Sequence, residues 1–170
     1  MTKKELEKII KEFKNENYDS FDLFYNETSR AVYIFVYDIL KSREKTEDVL
    51  QETYMRFIYT IDRYQKNTNV MNYLITIARN IAINVYNKEK KHINDNEIIN
   101  GIKEDETKED LFYLLDYLDK TEREIVILHI IDKLKFREIS DLLNMPLGTV
   151  LWTYNKAIKH LKKEVKKSEK

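Results

Sequence analysis

The sequence predicts an all-α protein of two small helical domains joined by a flexible linker, and three observations carry that expectation. The 170 residues include only 2 Gly and 1 Pro, few of the residues that punctuate sheets and long loops. Apolar side chains recur at helical spacing along most of the chain. Residues 92–106 interrupt that pattern with Asn, Asp, Glu and Lys around Gly101, the composition of a linker. A chain of this length holds one ordinary domain or two small ones. The two domains therefore fall at residues 1–91 and 107–170.

Each helix has its own warrant. Thr2 and Glu5 form a capping pair that predicts a first helix to about Asn17. A second begins near Ser20, turns Phe21, Phe24, Tyr25, Thr28, Val32, Phe35 and Val36 inward, and ends about Lys41. Ser42 suits the N-cap of a third helix reaching roughly Asp62. Its apolar stripe is Val49, Leu50, Tyr54, Phe57, Ile58 and Ile61. The polar run 64–69 reads as a loop. A fourth helix spans about Val70 to Lys91 with Leu74, Ile77, Ala78, Ile81 and Val85 inward. After the linker, a helix is expected over about 107–118.

The last third carries the most specific pattern. Thr121 and Glu124 suggest a capping box, followed by Ile125, Leu128 and Ile131 at helical spacing. A short helix with Ile139, Leu142 and Leu143 inward comes next. Asn144 suits a left-handed helix end, and Pro146 the start of another helix. Gly148-Thr149-Val150 leads into a helix whose inward face is Val150, Tyr154, Ala157 and Leu161. Helices joined by a tight turn, the last one polar outside, form a helix-turn-helix that presents its final helix to a DNA major groove.

This segment resembles region 4 of bacterial sigma factors of the extracytoplasmic-function class, which share its Pro-x-Gly-Thr-Val. Three upstream segments, FDLFYNETSR (21–30), REKTEDVLQETYMRFI (43–58) and YLITIARNIAINVYNKEKK (73–91), resemble region 2 of the same sigma-70 family in order and spacing. They contain its Asp-x-x-Gln-Glu-x-aromatic and Ile-Ala-Arg-Asn signatures. The resemblance covers nearly the whole chain apart from its ends and the linker.

It implies two partners, core RNA polymerase through its largest subunits and promoter DNA, and makes an anti-sigma factor a further candidate. On the third helix, Asp48, Gln51, Glu52, Met55 and Arg56 share one face; in the family this face docks on a coiled coil of the polymerase. Acidic and amide groups there can pair with partner arginines, whereas the helix pattern alone reads as a solvated face. On the fourth, Asn80, Asn84, Asn87, Lys88 and Lys91 are assigned to the −10 element. Asn reaches base edges and Lys holds phosphates, although an AT-rich codon bias would also supply these residues. The loop before this helix, with Tyr64, Lys66 and Asn67, sits where the family captures an unstacked base, Tyr64 being the stacking candidate. Arg79 is either a DNA contact or a structural ion-pair partner. Tyr73 stands where the family usually has Trp.

For the −35 element the candidates are Thr149, Leu151, Trp152, Asn155, Lys156 and Lys159. Leu151-Trp152-Thr153 departs from the basic or small polar residues usual after Gly-Thr-Val. Three readings stay open: contact with thymine methyls, an exposed patch for a protein, or packing of Trp152 on the helix at 107. A linker of about 15 residues spans about 20 Å as a coil and up to about 50 Å extended. Elements about two DNA turns apart, roughly 70 Å, need it extended.

Composition sets the remaining bounds. Lys+Arg and Asp+Glu balance at 30 each, but the charge is uneven, acidic over 104–110 and lysine-rich from Lys156 onward. Phosphate affinity follows local charge. With no Cys, disulfides and thiolate metal sites are excluded; His92, His129 and His160 have no ligand spacing, and no metal or cofactor is expected. No run of about 18 apolar residues occurs, and the N-terminus lacks a signal peptide's apolar core, which implies a cytoplasmic protein. No nucleophile motif or Gly-rich phosphate loop points to an enzyme. The alternatives to a sigma factor are a sigma-like adaptor acting through protein contacts and a helix-turn-helix regulator that binds DNA without polymerase.

Overall fold

The structure is a computed structural model and describes residues 2–65, 68–95 and 114–168. The regular elements among them are all helical. The chain divides into two compact units, Met1–Gly101 and Ile102–Lys170.

The first unit contains α1 (Lys3–Lys14), α2 (Phe21–Leu40), α3 (Arg43–Tyr59), a 3₁₀ turn (Ile61–Arg63) and α4 (Val70–Asp95). The capping box expected at α1 is present in both directions: Thr2 N–H donates to Glu5 Oε2 at 2.6 Å, and Glu5 N–H donates to Thr2 Oγ1 at 3.3 Å. A 12-residue helix is marginal alone. Burial of Ile9, Ile10 and Phe13, each worth about 1.5–3 kcal/mol, fixes it to the unit. Lys41 ends α2 in the left-handed region (φ 51°), and Ser42 caps α3, accepting from Lys45 N–H.

Helices α2, α3 and α4 pack against one another, with α4 touching both others. That double contact explains why α4 buries two stripes. The expected Leu74, Ala78 and Ile81 are buried, and so are Ile75 and Ala82 beside them. Buried hydroxyls in the core are all engaged. Thr28 Oγ1 donates to the Phe24 carbonyl at 2.7 Å and lies 2.6 Å from Tyr54 Oη; Thr53 bonds the Val49 carbonyl at 2.7 Å. Burial pushes the Tyr54 phenol pKa well up, so it stays a neutral donor.

Three boundaries differ from expectation. Helix α1 ends at Lys14, because the chain turns through Glu16 at φ 58°. Helix α3 stops at Tyr59 and tightens into the 3₁₀ turn that buries Ile61. Helix α4 continues to Asp95, into residues expected to be linker. Of the helix expected over 107–118, only 114–118 lie among the described residues, and Leu114 and Leu115 are helical.

The second unit contains α5 (Lys120–Val126), a π-helical turn (Ile127–Ile131), α6 (Phe136–Leu143) and α7 (Leu147–Ser168). The capping box at its start is Asp119 with Glu122 rather than Thr121 with Glu124: Glu122 N–H donates to Asp119 Oδ1 at 2.9 Å, and Asp119 N–H to Glu122 Oε2 at 3.1 Å. Helix α5 opens two residues earlier than the sequence pattern suggested because Asp119 takes the cap. In the π turn, Asp132 N–H reaches back five residues to the Ile127 carbonyl at 3.1 Å. The chain then turns at Lys133 (φ 56°) into α6. Asn144 ends α6 at φ 52°, as its residue type predicted. His129 is half-buried and packs within the unit: its ring stacks on Phe136 at 4.0 Å and meets Tyr154 edge-on at 4.9 Å. Its Nδ1 lies 2.9 Å from the Leu134 carbonyl, so that nitrogen carries the proton.

Candidate nucleic-acid and partner interfaces

On α3, burial of Val49, Leu50, Thr53, Tyr54 and Phe57 turns the opposite side to solvent. Asp48, Gln51, Glu52, Met55 and Arg56 are all exposed, Met55 at 60%. Glu52 and Arg56 form an ion pair one turn apart. Tyr59 continues the same stripe and is 84% exposed. Sequence reading missed Tyr59, although its place seven residues after Glu52 was visible. The face thus offers carboxylate, amide and guanidinium groups around two large exposed apolar side chains.

On α4, Asn80, Asn84, Asn87 and Lys88 are exposed and lie on one face. Arg79 is half-buried and already engaged within the fold. Near the end of the helix, Glu89 pairs with Lys45 of α3 at the surface. Lys66, Asn67 and the side chain of Lys91 lie outside the described residues.

Tyr64 is not the exposed stacking ring the sequence suggested. It is 3% exposed, with its ring 5.7 Å from Tyr73. Its hydroxyl is 2.6 Å from Glu7 Oε1 and 2.8 Å from the Thr68 carbonyl. Burial, then the Glu7 carboxylate, push the phenol pKa well up and keep the donor proton in place. The reason is packing: the 3₁₀ turn folds Tyr64 back under α1. Tyr73 also packs inward, its ring 5.9 Å from Phe57 and its hydroxyl donating to Thr60.

On α7, Val150, Thr153 and Ala157 are buried, which exposes Thr149, Leu151, Trp152, Asn155, Lys156 and Lys159. Trp152 is 65% exposed, so most of its ring is available to a partner, and Lys156 Nζ lies 5.7 Å from its centroid. Lys156 is not a free cation: its ammonium is 2.7 Å from Glu122 Oε1 and 3.6 Å from Asp119 Oδ2. The Glu122 hydrogen bond raises its pKa. Lys159, Lys162, Lys163 and Lys166 are exposed along the same helix. Gly148 has no positive φ, and a Cβ there would meet nothing within 4 Å. The fold therefore does not require glycine at the start of α7. Among the described residues no cluster of His, Asp or Glu could hold a metal ion, and no helix is long and apolar enough to cross a membrane.

Known proteins share this layout. The Sigma-70 region 2 profile matches residues 24–92, and the Sigma-70, region 4 profile matches residues 108–161. The chain is 22% identical over 163 residues to the ECF RNA polymerase sigma factor SigX of Bacillus subtilis, covering 86% of this chain and 84% of SigX. It is 24% identical over 181 residues to SigW of the same organism, covering 95% and 97%. The chain belongs to the extracytoplasmic-function class of the sigma-70 family. Its fold is that of the sigma factor RpoE solved with the anti-sigma factor NepR from Bartonella quintana, with a TM-score of 0.69, 20% identity, and 86% and 96% of the two chains covered. In this family member α2, α3 and most of α4 make up region 2, and α5 to α7 fall in region 4. Helix α1 precedes the matched part.

Proposed function

We propose that this chain is an initiation factor that holds core RNA polymerase through α3 and reads a promoter through α4 and α7. Membership of the family carries its partners, core RNA polymerase and promoter DNA. Both region profiles, in the family's order, are the observation that carries the reading. The α3 face of Asp48, Gln51, Glu52, Met55 and Arg56 supports docking, because every member is exposed on a rigidly packed helix.

Asn80, Asn84, Asn87 and Lys88, with Lys91, Lys66 and Asn67, are assigned to the −10 element; Arg79 and Tyr64 support that surface from within the fold. Thr149, Leu151, Trp152, Asn155 and Lys159 are assigned to the −35 element, with Lys156 at its margin. The segment between the units is the tether that lets two weak DNA contacts act together. The protein performs no chemistry: phosphodiester formation belongs to the polymerase, and the setting is the bacterial cytoplasm. The exposed Leu151 and Trp152 also suit an anti-sigma factor, the kind of partner present in the RpoE structure.

Run-off transcription with core polymerase on AT-rich promoter fragments tests the assignment, with Asp48→Arg/Glu52→Arg as the variant that abolishes docking. Discrete starts that need the protein and disappear in the variant support it. Binding to polymerase without initiation would make the protein an adaptor. Binding to DNA without polymerase would make it an ordinary regulator.

A further inference from the structure

Helix α1 lies before the matched region 2 and reaches the loop that leads into α4. It is anchored by Phe13, which is 1% exposed and meets Phe24 edge-on at 5.5 Å. From that anchor two polar side chains extend to Tyr64. Lys14 Nζ donates to the Tyr64 carbonyl at 2.7 Å, and Glu7 Oε1 receives the Tyr64 hydroxyl at 2.6 Å.

The same hydroxyl lies 2.8 Å from the Thr68 carbonyl. A phenol has one proton, and an ionised carboxylate and a carbonyl are both acceptors, so the two share it. The next residue, Asn69, uses its Oδ1 to cap α4, accepting from Met71 N–H at 3.0 Å. A continuous run of hydrogen bonds and adjacent residues thus leads from α1 through Tyr64, Thr68 and Asn69 to the first turn of α4. The exposed Asn80, Asn84 and Asn87 stand on that helix.

We infer that α1 is a positioning element for promoter reading: Glu7 and Lys14 hold Tyr64, and Tyr64 sets the loop and the start of α4. The inference rests on the promoter-reading assignment above. Glu7, Lys14 and Tyr64 touch no DNA in this scheme; they fix the geometry of residues that do. A conservative change at Glu7 distinguishes position from charge. A Gln amide in its place donates to the Tyr64 oxygen and leaves the phenol proton wholly to Thr68, so the clasp survives without the carboxylate.

The test uses holoenzyme assembled from core polymerase and the full chain, on a promoter found by run-off transcription. The readout is the rate of promoter opening, followed by 2-aminopurine fluorescence in the −10 element. Core binding and melting temperature are measured in parallel. Glu7→Ala and Tyr64→Phe are each expected to slow opening about tenfold, the factor that loss of one charge-assisted hydrogen bond corresponds to. The double variant should be no slower than Tyr64→Phe, Glu7→Gln should match wild type, and core binding should hold throughout.

Opening rates within about twofold of wild type in both single variants, with only the melting temperature lowered, would reduce α1 to a stabilising element. Additive losses in the double variant would overturn the shared clasp. If the wild-type holoenzyme opens no promoter while core binding persists, the promoter-reading assignment fails, and this inference with it.

Discussion

Lys156 on α7 places its ammonium 2.7 Å from the carboxylate of Glu122 on α5, a side chain only 3% exposed. Glu122 is also half of the capping box that opens α5, so one carboxylate serves a helix start and an interhelical brace. Removing the cation leaves Glu122 Oε1 buried without a partner while Oε2 keeps the Asp119 N–H, the costly half of a broken pair. Lys156→Met is expected to lower the melting temperature of the C-terminal unit by several degrees. Adding Glu122→Gln should recover most of the loss, as calorimetry of the two variants would show; equal losses in single and double variants would refute the brace.

The brace divides the lysines of α7 by task. Both lysines are exposed, but Lys156 is committed to Glu122. Each phosphate contact contributes about one unit to the slope of log affinity against log salt. In holoenzyme binding to promoter DNA, Lys159→Ala should reduce that slope by about one, and Lys156→Ala by clearly less. Equal reductions would place both lysines on phosphates.

Gly148 separates folding from function because the fold leaves room for a side chain there. Ala in place of Gly within a helix is worth about 0.5–1 kcal/mol, and less in the first turn. Gly148→Ala is therefore expected to leave the melting temperature unchanged or slightly higher. If DNA approaches the backbone at this point, −35 protection in a footprint should weaken at the same time. Full protection would mean that the glycine has no part in DNA contact.

Asp132 gives region 4 a pH dependence of definite sign. Its carboxyl is 2% exposed, and both oxygens lack a hydrogen-bond partner among the described residues. Burial raises its pKa well above the usual carboxylate range. From the ordinary carboxylate value up to that raised value, the folded state holds a proton that the unfolded chain has released. Stability from this group is therefore present at low pH and is lost as pH rises through the window. Asp132→Asn should flatten that decline and raise the melting temperature at pH 7. Thermal melts from pH 4 to 8 would check it, and an unchanged slope would exonerate Asp132.

Tyr59 extends the exposed stripe of α3 proposed to dock on polymerase and is 84% exposed. Exposed aromatics on a docking face are frequent energetic anchors. Tyr59→Ala is expected to weaken core polymerase binding by about tenfold or more, a loss of roughly 1.4 kcal/mol, without lowering the melting temperature. Wild-type affinity would confine the interface to Asp48, Gln51, Glu52, Met55 and Arg56.

The sequence showed most of the helices because their apolar spacing, caps and turn residues agree with one another. Asn144, Ser42, and Thr2 with Glu5 are local signals, and local signals survive folding. The misreadings have non-local causes. Thr121 with Glu124 has the same spelling as a capping box as Asp119 with Glu122, and the chain takes the cap at Asp119, where Glu122 also meets Lys156 of α7. Tyr64 looked like a loop aromatic because nothing near it in sequence announces Glu7, 57 residues away. Ile75 and Ala82 lay off the stripe expected for α4, since one helix's periodicity does not reveal a second neighbour. The exposed faces of α3, α4 and α7 were legible as faces, while the commitment of Lys156 and the half-burial of Arg79 required coordinates.

The π turn at Ile127–Ile131 has a consequence for how region 4 tolerates change in length. It holds one residue more than an ordinary helical turn, and the wider turn absorbs it, with Ile131 half-buried and Asp132 buried. A helix in that condition has slack. Removing Ile130, which is 49% exposed, would let the turn relax to the common pitch while the segment beyond it keeps its place. An insertion at the same place has no such reserve to draw on. Shortening is the direction in which this helix is able to drift.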